Sequence, residues 1–177
     1  MILSSIYCDS VTLSTHQFLV FLIIGLLCMA TAILLLFKPK FPAAVVGYIG
    51  LLTLHASTYI YLTTNALIFW GITTVIVGIL HAMLPKGEPA NSRASNIYIA
   101  WAGLAGTVLG LAIHANVMVI GSIIGTFVGL LAYTRTPKGA WLKFPTFTFI
   151  QYLCAKGLSA IVALAIMGIA LEGFIVK

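Results

Sequence analysis

A bundle of membrane-spanning helices, all-α and polytopic, is the fold this sequence predicts, and three observations predict it. Of the 177 residues, 62% are hydrophobic and 7% are charged, against roughly 25% charged in ordinary soluble domains. The apolar residues fall into runs of about 20, the length a helix needs to cross the hydrocarbon core. Within one run, GSIIGTFVG, glycines 121, 125 and 129 repeat every four residues, and glycines 103, 106 and 110 lie in the run before it. Each glycine costs a helix about 1 kcal/mol relative to alanine in water. In a bilayer the same small side chains let two helix backbones approach closely. The composition excludes a soluble globule and a disordered chain, and no compositional break divides residues 1–177 into more than a single integral membrane domain.

Six spans are expected. The first runs from Phe18 to Phe37 and is closed by Lys38, Pro39 and Lys40. A second, 42–62, turns at Thr63, Thr64 and Asn65, and a third, 66–84, ends at Pro85, Lys86 and Gly87. After a polar stretch, Ile97 to Ile113 makes a fourth span, His114-Ala115-Asn116 a turn, and Val117 to Thr134 a fifth. A last run, 157–176, makes the sixth. The segment WLKFPTFTFIQYL, 141–153, is aromatic but polar and broken by proline, so it is expected to lie in the headgroup region. The N-terminus lacks the basic region and small-residue cleavage site of a signal peptide, so the first run is expected to be a retained span.

Charge sets the expected orientation. Lys38 and Lys40, Lys86 and Arg93, and Arg135, Lys138 and Lys143 occupy alternate loops, whereas the turns at 63–65 and 114–116 carry no Lys or Arg. The positive-inside rule therefore places both termini outside the cytoplasm. Tyr48, Tyr98, Trp101 and Tyr133 fall near the expected inner interface and Tyr59, Tyr61 and Trp70 near the outer one, as aromatic belts do.

A faint repeat runs through the middle. Gly78 and Gly129 each follow a turn asparagine, Asn65 or Asn116, by thirteen residues, within Val-Gly-Ile-Leu and Val-Gly-Leu-Leu. Each segment closes in Pro-Lys-Gly. Spans two–three and four–five read either as a duplicated helical hairpin or as chance likeness between apolar helices. Through the glycine spacing of 97–139 the chain resembles small bacterial multi-span proteins of unknown function with glycine-zipper hairpins. That resemblance implies a bacterial inner (cytoplasmic) membrane and carries no catalytic residue across.

At 100° per residue, Gly121, Gly125 and Gly129 form one stripe, and Gly103, Gly106 and Gly110 another. These six are the expected helix-packing residues, pressed face to face within one molecule or turned toward a second copy. Thr53, His55, Ser57, Thr73 and Thr74 are the candidates for a polar path, because an ionisable group at mid-depth is costly and tends to face a cavity or partner. For His55 the alternative is a neutral ring hydrogen-bonded to Ser57, Thr53 or a facing helix. Lys156 is expected to snorkel to the inner interface, with a cytoplasmic vestibule lined by Gln151, Tyr152 and Cys154 as the functional alternative. His81 is expected at the interface. His55 and His81 differ in depth by roughly 14 Å, too far apart to ligate one haem iron.

The remaining chemistry is sparse. Three acidic residues, no triad arrangement and no phosphate, zinc or dinucleotide motif argue against an enzyme. Three scattered cysteines suggest neither a disulfide framework nor a metal site, and no cofactor is expected. Nine Lys and Arg spread over the loops do not make the clustered basic surface that nucleic acid requires. The expected partners are the lipid bilayer and either further copies of the chain or a larger membrane complex. The expected function is a structural or accessory membrane protein that packs or oligomerises through its glycines. The alternative is a small channel or carrier for an ion or small solute, with its path near His55.

Overall fold

The computed structural model describes residues 2–37, 42–57, 60, 62–84 and 93–175. Expectations resting on Lys38, Lys40, Tyr59, Tyr61 and Lys86 lie outside the described residues. Among those residues all regular structure is helical: α1 (Ile2–Phe37), α2 (Ala43–Ala56), α3 (Thr64–Met83), α4 (Arg93–Ile113), α5 (Ala115–Thr134), α6 (Phe147–Tyr152), a π-helical turn (Leu153–Gly157) and α7 (Leu158–Ile175). Five stretches are long and apolar enough to cross a membrane: His16–Phe37, Thr64–Met83, Ser95–Ile113, Val117–Thr134 and Phe147–Phe174. The chain is a multi-pass integral membrane protein built as a helical bundle.

The stretch 147–174 is the axis of the bundle. Its most apolar window is 72% buried, against 17–33% for the other four. α1 to α5 pack around it and turn aliphatic side chains such as Leu27, Leu34, Ile72, Val75, Leu109 and Ile124 outward to lipid. Leu164 and Ile166 of α7 are enclosed together with Leu51 and Leu54 of α2 and Leu130 of α5. Gly168 makes room for Met118, because a Cβ there would fall on the Met118 side chain.

Two spans differ from expectation. The second span, expected over 42–62, is a helix only to Ala56. Its 14 residues rise about 21 Å, short of a hydrocarbon core roughly 30 Å thick. Side chains bond the chain's own carbonyls where the helix stops: Ser57 Oγ donates to Leu54 O at 2.7 Å, and His55 Nδ1 lies 3.1 Å from Ile60 O. Ser, like Thr, Asn and Asp, gives backbone groups an alternative to the helical ladder in this way.

The second difference concerns 141–153, expected as an interfacial segment separate from a last span that begins at 157. It becomes helical at Phe147 and runs through the π-turn into α7. Thr146 caps this helix, its hydroxyl accepting from Phe149 N–H at 3.3 Å, as N-cap threonines do. Edge-to-face contacts then hold the entry segment against the bundle, with ring centroids 5.1 Å apart for Phe144–Phe149, 5.8 Å for Phe127–Phe149 and 5.7 Å for Trp141–Tyr152.

The 97–134 region is a hairpin with a turn at His114, whose carbonyl accepts from Val117 N–H and Met118 N–H. Its counterpart in the repeat, α2–α3, does not share its packing. A Cβ on Gly78 would meet only Val45, at 3.7 Å, whereas one on Gly129 would strike the Tyr98 carbonyl. The interfacial aromatics also divide. Trp101 and Tyr98 are exposed, but Tyr133 is fully buried and its hydroxyl donates to Lys138 O at 3.1 Å.

Candidate functional site

Two features were open to a functional reading, the glycine contact of α4 with α5 and the polar groups inside the bundle. The glycines lie where the two backbones touch. A Cβ on Gly106 would fall on the carbonyl oxygen of Gly121, one on Gly121 on the carbonyl of Gly106, and one on Gly125 on the carbonyl of Ala102. Gly110 abuts Val117 and Met118 beside the turn, and Gly129 abuts Tyr98 at the other end of the contact. Gly103 differs, because its Cβ would meet Leu164 of α7 at 2.7 Å and Thr126 of α5 at 3.0 Å. It sits where α4 meets both neighbours. The sequence pattern did not single out a second glycine contact, between α1 and α2. There a Cβ on Gly25 would fall 2.7 Å from Leu54, and one on Gly50 3.2 Å from the Gly25 carbonyl.

The five polar-path candidates do not come together. Thr53 Oγ1 donates to Gly50 O at 2.8 Å, and Thr73 Oγ1 to Phe69 O at 2.8 Å, each within its own helix. Ser57 and His55 serve the end of α2. A carbonyl can only accept, so the contact with Ile60 O puts the His55 proton on Nδ1. The Leu62 N–H at 3.5 Å points at the same nitrogen, which cannot then accept, and the shorter contact decides the tautomer. Thr74 is buried in α3 with no hydrogen-bond partner for its hydroxyl.

A polar cluster forms instead around the π-turn, and it corrects two expectations. Lys156 does not snorkel: it is 7% exposed, its Nζ donates to Tyr152 Oη at 3.2 Å and sits 5.0 Å from the centre of that ring. The Tyr152 hydroxyl, accepting from Lys156, also shares a hydrogen bond with Ser95 Oγ, 2.5 Å away. His81 is not turned outward at the end of α3: it is 4% exposed, and its Nδ1–H donates to the Ala155 carbonyl in the π-turn at 2.8 Å. π-helical turns of this kind occur frequently at functional sites.

These groups surround a cavity of about 20 Å³ lined by His81, Asn96, Lys156 and Ser159 with Leu36 and Ile99. The lining comes from the ends of α1 and α3, the starts of α2 and α4, and the entry of α7. The cavity thus lies at the end of the bundle that also carries the 135–146 loop, here called the basic end. Its volume is room for about one water, and no solute fits it in this conformation. Asn96 and Ser159 were not foreseen. The available signal was position: Ser159 stands three residues after Lys156, on the same helical face, and Asn96 closes the polar first turn of α4, directly before its apolar run. Gln151 and Cys154, foreseen as a vestibule with Lys156, do not line the cavity. Among the described residues no three His, Cys, Asp or Glu side chains come together as a metal site requires. No protein-family model, curated protein or solved structure matches the chain.

Proposed function

We propose that this chain is a non-enzymatic structural or accessory protein of a bacterial inner membrane, a component of a larger membrane assembly rather than a transporter in its own right. The backbone-on-backbone contact of α4 with α5 carries this reading. Helices that touch at Gly106, Gly121 and Gly125 leave no space between them for a path, and such contacts favour a stiff, closely packed hairpin. The polar residues of α2 and α3 add support, since Thr53, Ser57 and Thr73 bond carbonyls of their own helices. The outward side of the hairpin is an open apolar groove of about 460 Å³, floored by Gly106 and Gly125 and walled by Leu109, Ile120 and Ile124. It offers a neighbouring helix a surface.

The test is native mass spectrometry of the protein released from nanodiscs cut directly from its membrane. Masses of a homo-oligomer, or of one chain with a stoichiometric protein partner, are expected. A solitary chain that moves an ion or solute across proteoliposomes would overturn the reading. One observation favours a carrier, namely the buried His81, Asn96, Lys156 and Ser159 around a common cavity. On that reading Lys156→Met abolishes flux while the protein still folds.

A further inference from the structure

The short loop from Arg135 to Thr146 joins two spans and is held by its own hydrogen bonds. Thr136 N–H donates to Tyr133 O at 2.9 Å, Gly139 N–H to Thr136 O at 3.0 Å, Leu142 N–H to Gly139 O at 2.9 Å, and the buried Tyr133 hydroxyl to Lys138 O at 3.1 Å. A Cβ on Gly139 would strike the Tyr133 carbonyl, so the loop folds tightly onto the end of α5. Phe144 locks its far side against Phe127 and Phe149. Between the two sides lies an open cleft of about 360 Å³ lined by Thr134, Arg135, Ala140, Lys143 and Phe144.

Position and charge define what this cleft fits. The apolar stretch before it ends at Thr134 and the one after it begins at Phe147, so Arg135 and Lys143 stand at the boundary between hydrocarbon and water. Both side chains are exposed, and no acidic residue lines the cleft. Beside them Phe144 (54% exposed), Phe147 (75%) and Ile150 (55%) form an apolar flank at the same level. An arginine fork matches a phosphate diester geometrically, and lysine adds a point charge. Basic pockets beside transmembrane helices bind anionic head groups.

We propose that the cleft seats the phosphate head group of an anionic phospholipid, held by Arg135 and Lys143, with the acyl chains running along Phe144, Phe147 and Ile150. The inference is independent of the accessory role and needs only that the chain is embedded in a bilayer.

The test titrates the full-length protein in detergent with phosphatidylglycerol or phosphatidylcholine and reads bound lipid by native mass spectrometry. Wild type is expected to prefer phosphatidylglycerol. Removing two cations at about 1 kcal/mol each should weaken that binding about thirtyfold in the R135Q/K143Q double variant. Phosphatidylcholine binding and melting temperature should stay unchanged, because both side chains are exposed. Ala140→Trp, which fills the cleft and keeps the charges, should lower phosphatidylglycerol binding as well. Lys138→Gln, outside the cleft, should cost less than about fivefold. Equal losses for K138Q and R135Q/K143Q would mean diffuse charge attraction and would overturn the site. So would an unaffected A140W variant, or tighter retention of inorganic phosphate than of the lipid.

Discussion

At the residue scale, two glycines, each inside an apolar helix, do opposite jobs. Gly106 has the Gly121 carbonyl where its side chain would be, and Gly78 has Val45 at an ordinary 3.7 Å. Gly106→Ala forces two backbones apart, a strain of about 1–3 kcal/mol by analogy with overpacked cores. Gly78→Ala meets no such strain and gains up to about 1 kcal/mol of helix propensity. Thermal unfolding in detergent should show a lower midpoint for G106A and an unchanged or higher one for G78A. Equal shifts for the two would remove the α4–α5 contact as the cause. The four-residue spacing of Gly121, Gly125 and Gly129 was legible because it marks a single helical face. The contact of Gly25 with Leu54 was not, since an isolated glycine in an apolar helix carries no periodicity to read.

At the element scale, the π-turn is the feature that sequence reasoning could least anticipate. A run such as LCAKG has no compositional mark of a widened turn. The turn is tied from outside by His81 of α3, which donates to the Ala155 carbonyl at 2.8 Å. Removing the donor leaves a buried carbonyl without that bond, at a cost of about 1–3 kcal/mol. His81→Ala should therefore lower the melting midpoint, and His81→Gln, whose amide can still donate, should recover part of the loss. If alanine and glutamine behave alike, the hydrogen bond is not what joins α3 to the turn. The early start of the last helix was more legible. Thr146 precedes an apolar run in the N-cap manner, but the proline at 145 and the polar residues argued for an interfacial segment. Aromatic contacts of Phe127, Phe144 and Phe149 hold the start of this helix against the bundle.

At the scale of the whole molecule, the passes alternate, and α1 begins and α7 ends away from the basic end. With the positive-inside rule, we propose that the basic end faces the cytoplasm and both termini face out. Single cysteines placed at Lys138 and Glu172 in a chain lacking Cys8, Cys28 and Cys154 test this orientation. A membrane-impermeant maleimide should label position 172 in intact spheroplasts and position 138 only in inverted vesicles; the reverse pattern would invert the proposed topology. The sequence by itself determined the class, a helical membrane bundle, because a chain with 62% hydrophobic and 7% charged residues has no soluble alternative. It marked five of the six expected spans and the glycine faces of α4 and α5 as well, because hydropathy and helical periodicity are properties of consecutive residues. Tertiary structure alone decided that the last helix is the axis, that α2 stops short, and that Lys156 turns inward to Tyr152 instead of outward to water. Burial of a polar group depends on which distant segments surround it. Ser95, Tyr152 and Lys156 become neighbours only once α4 and the π-turn pack together.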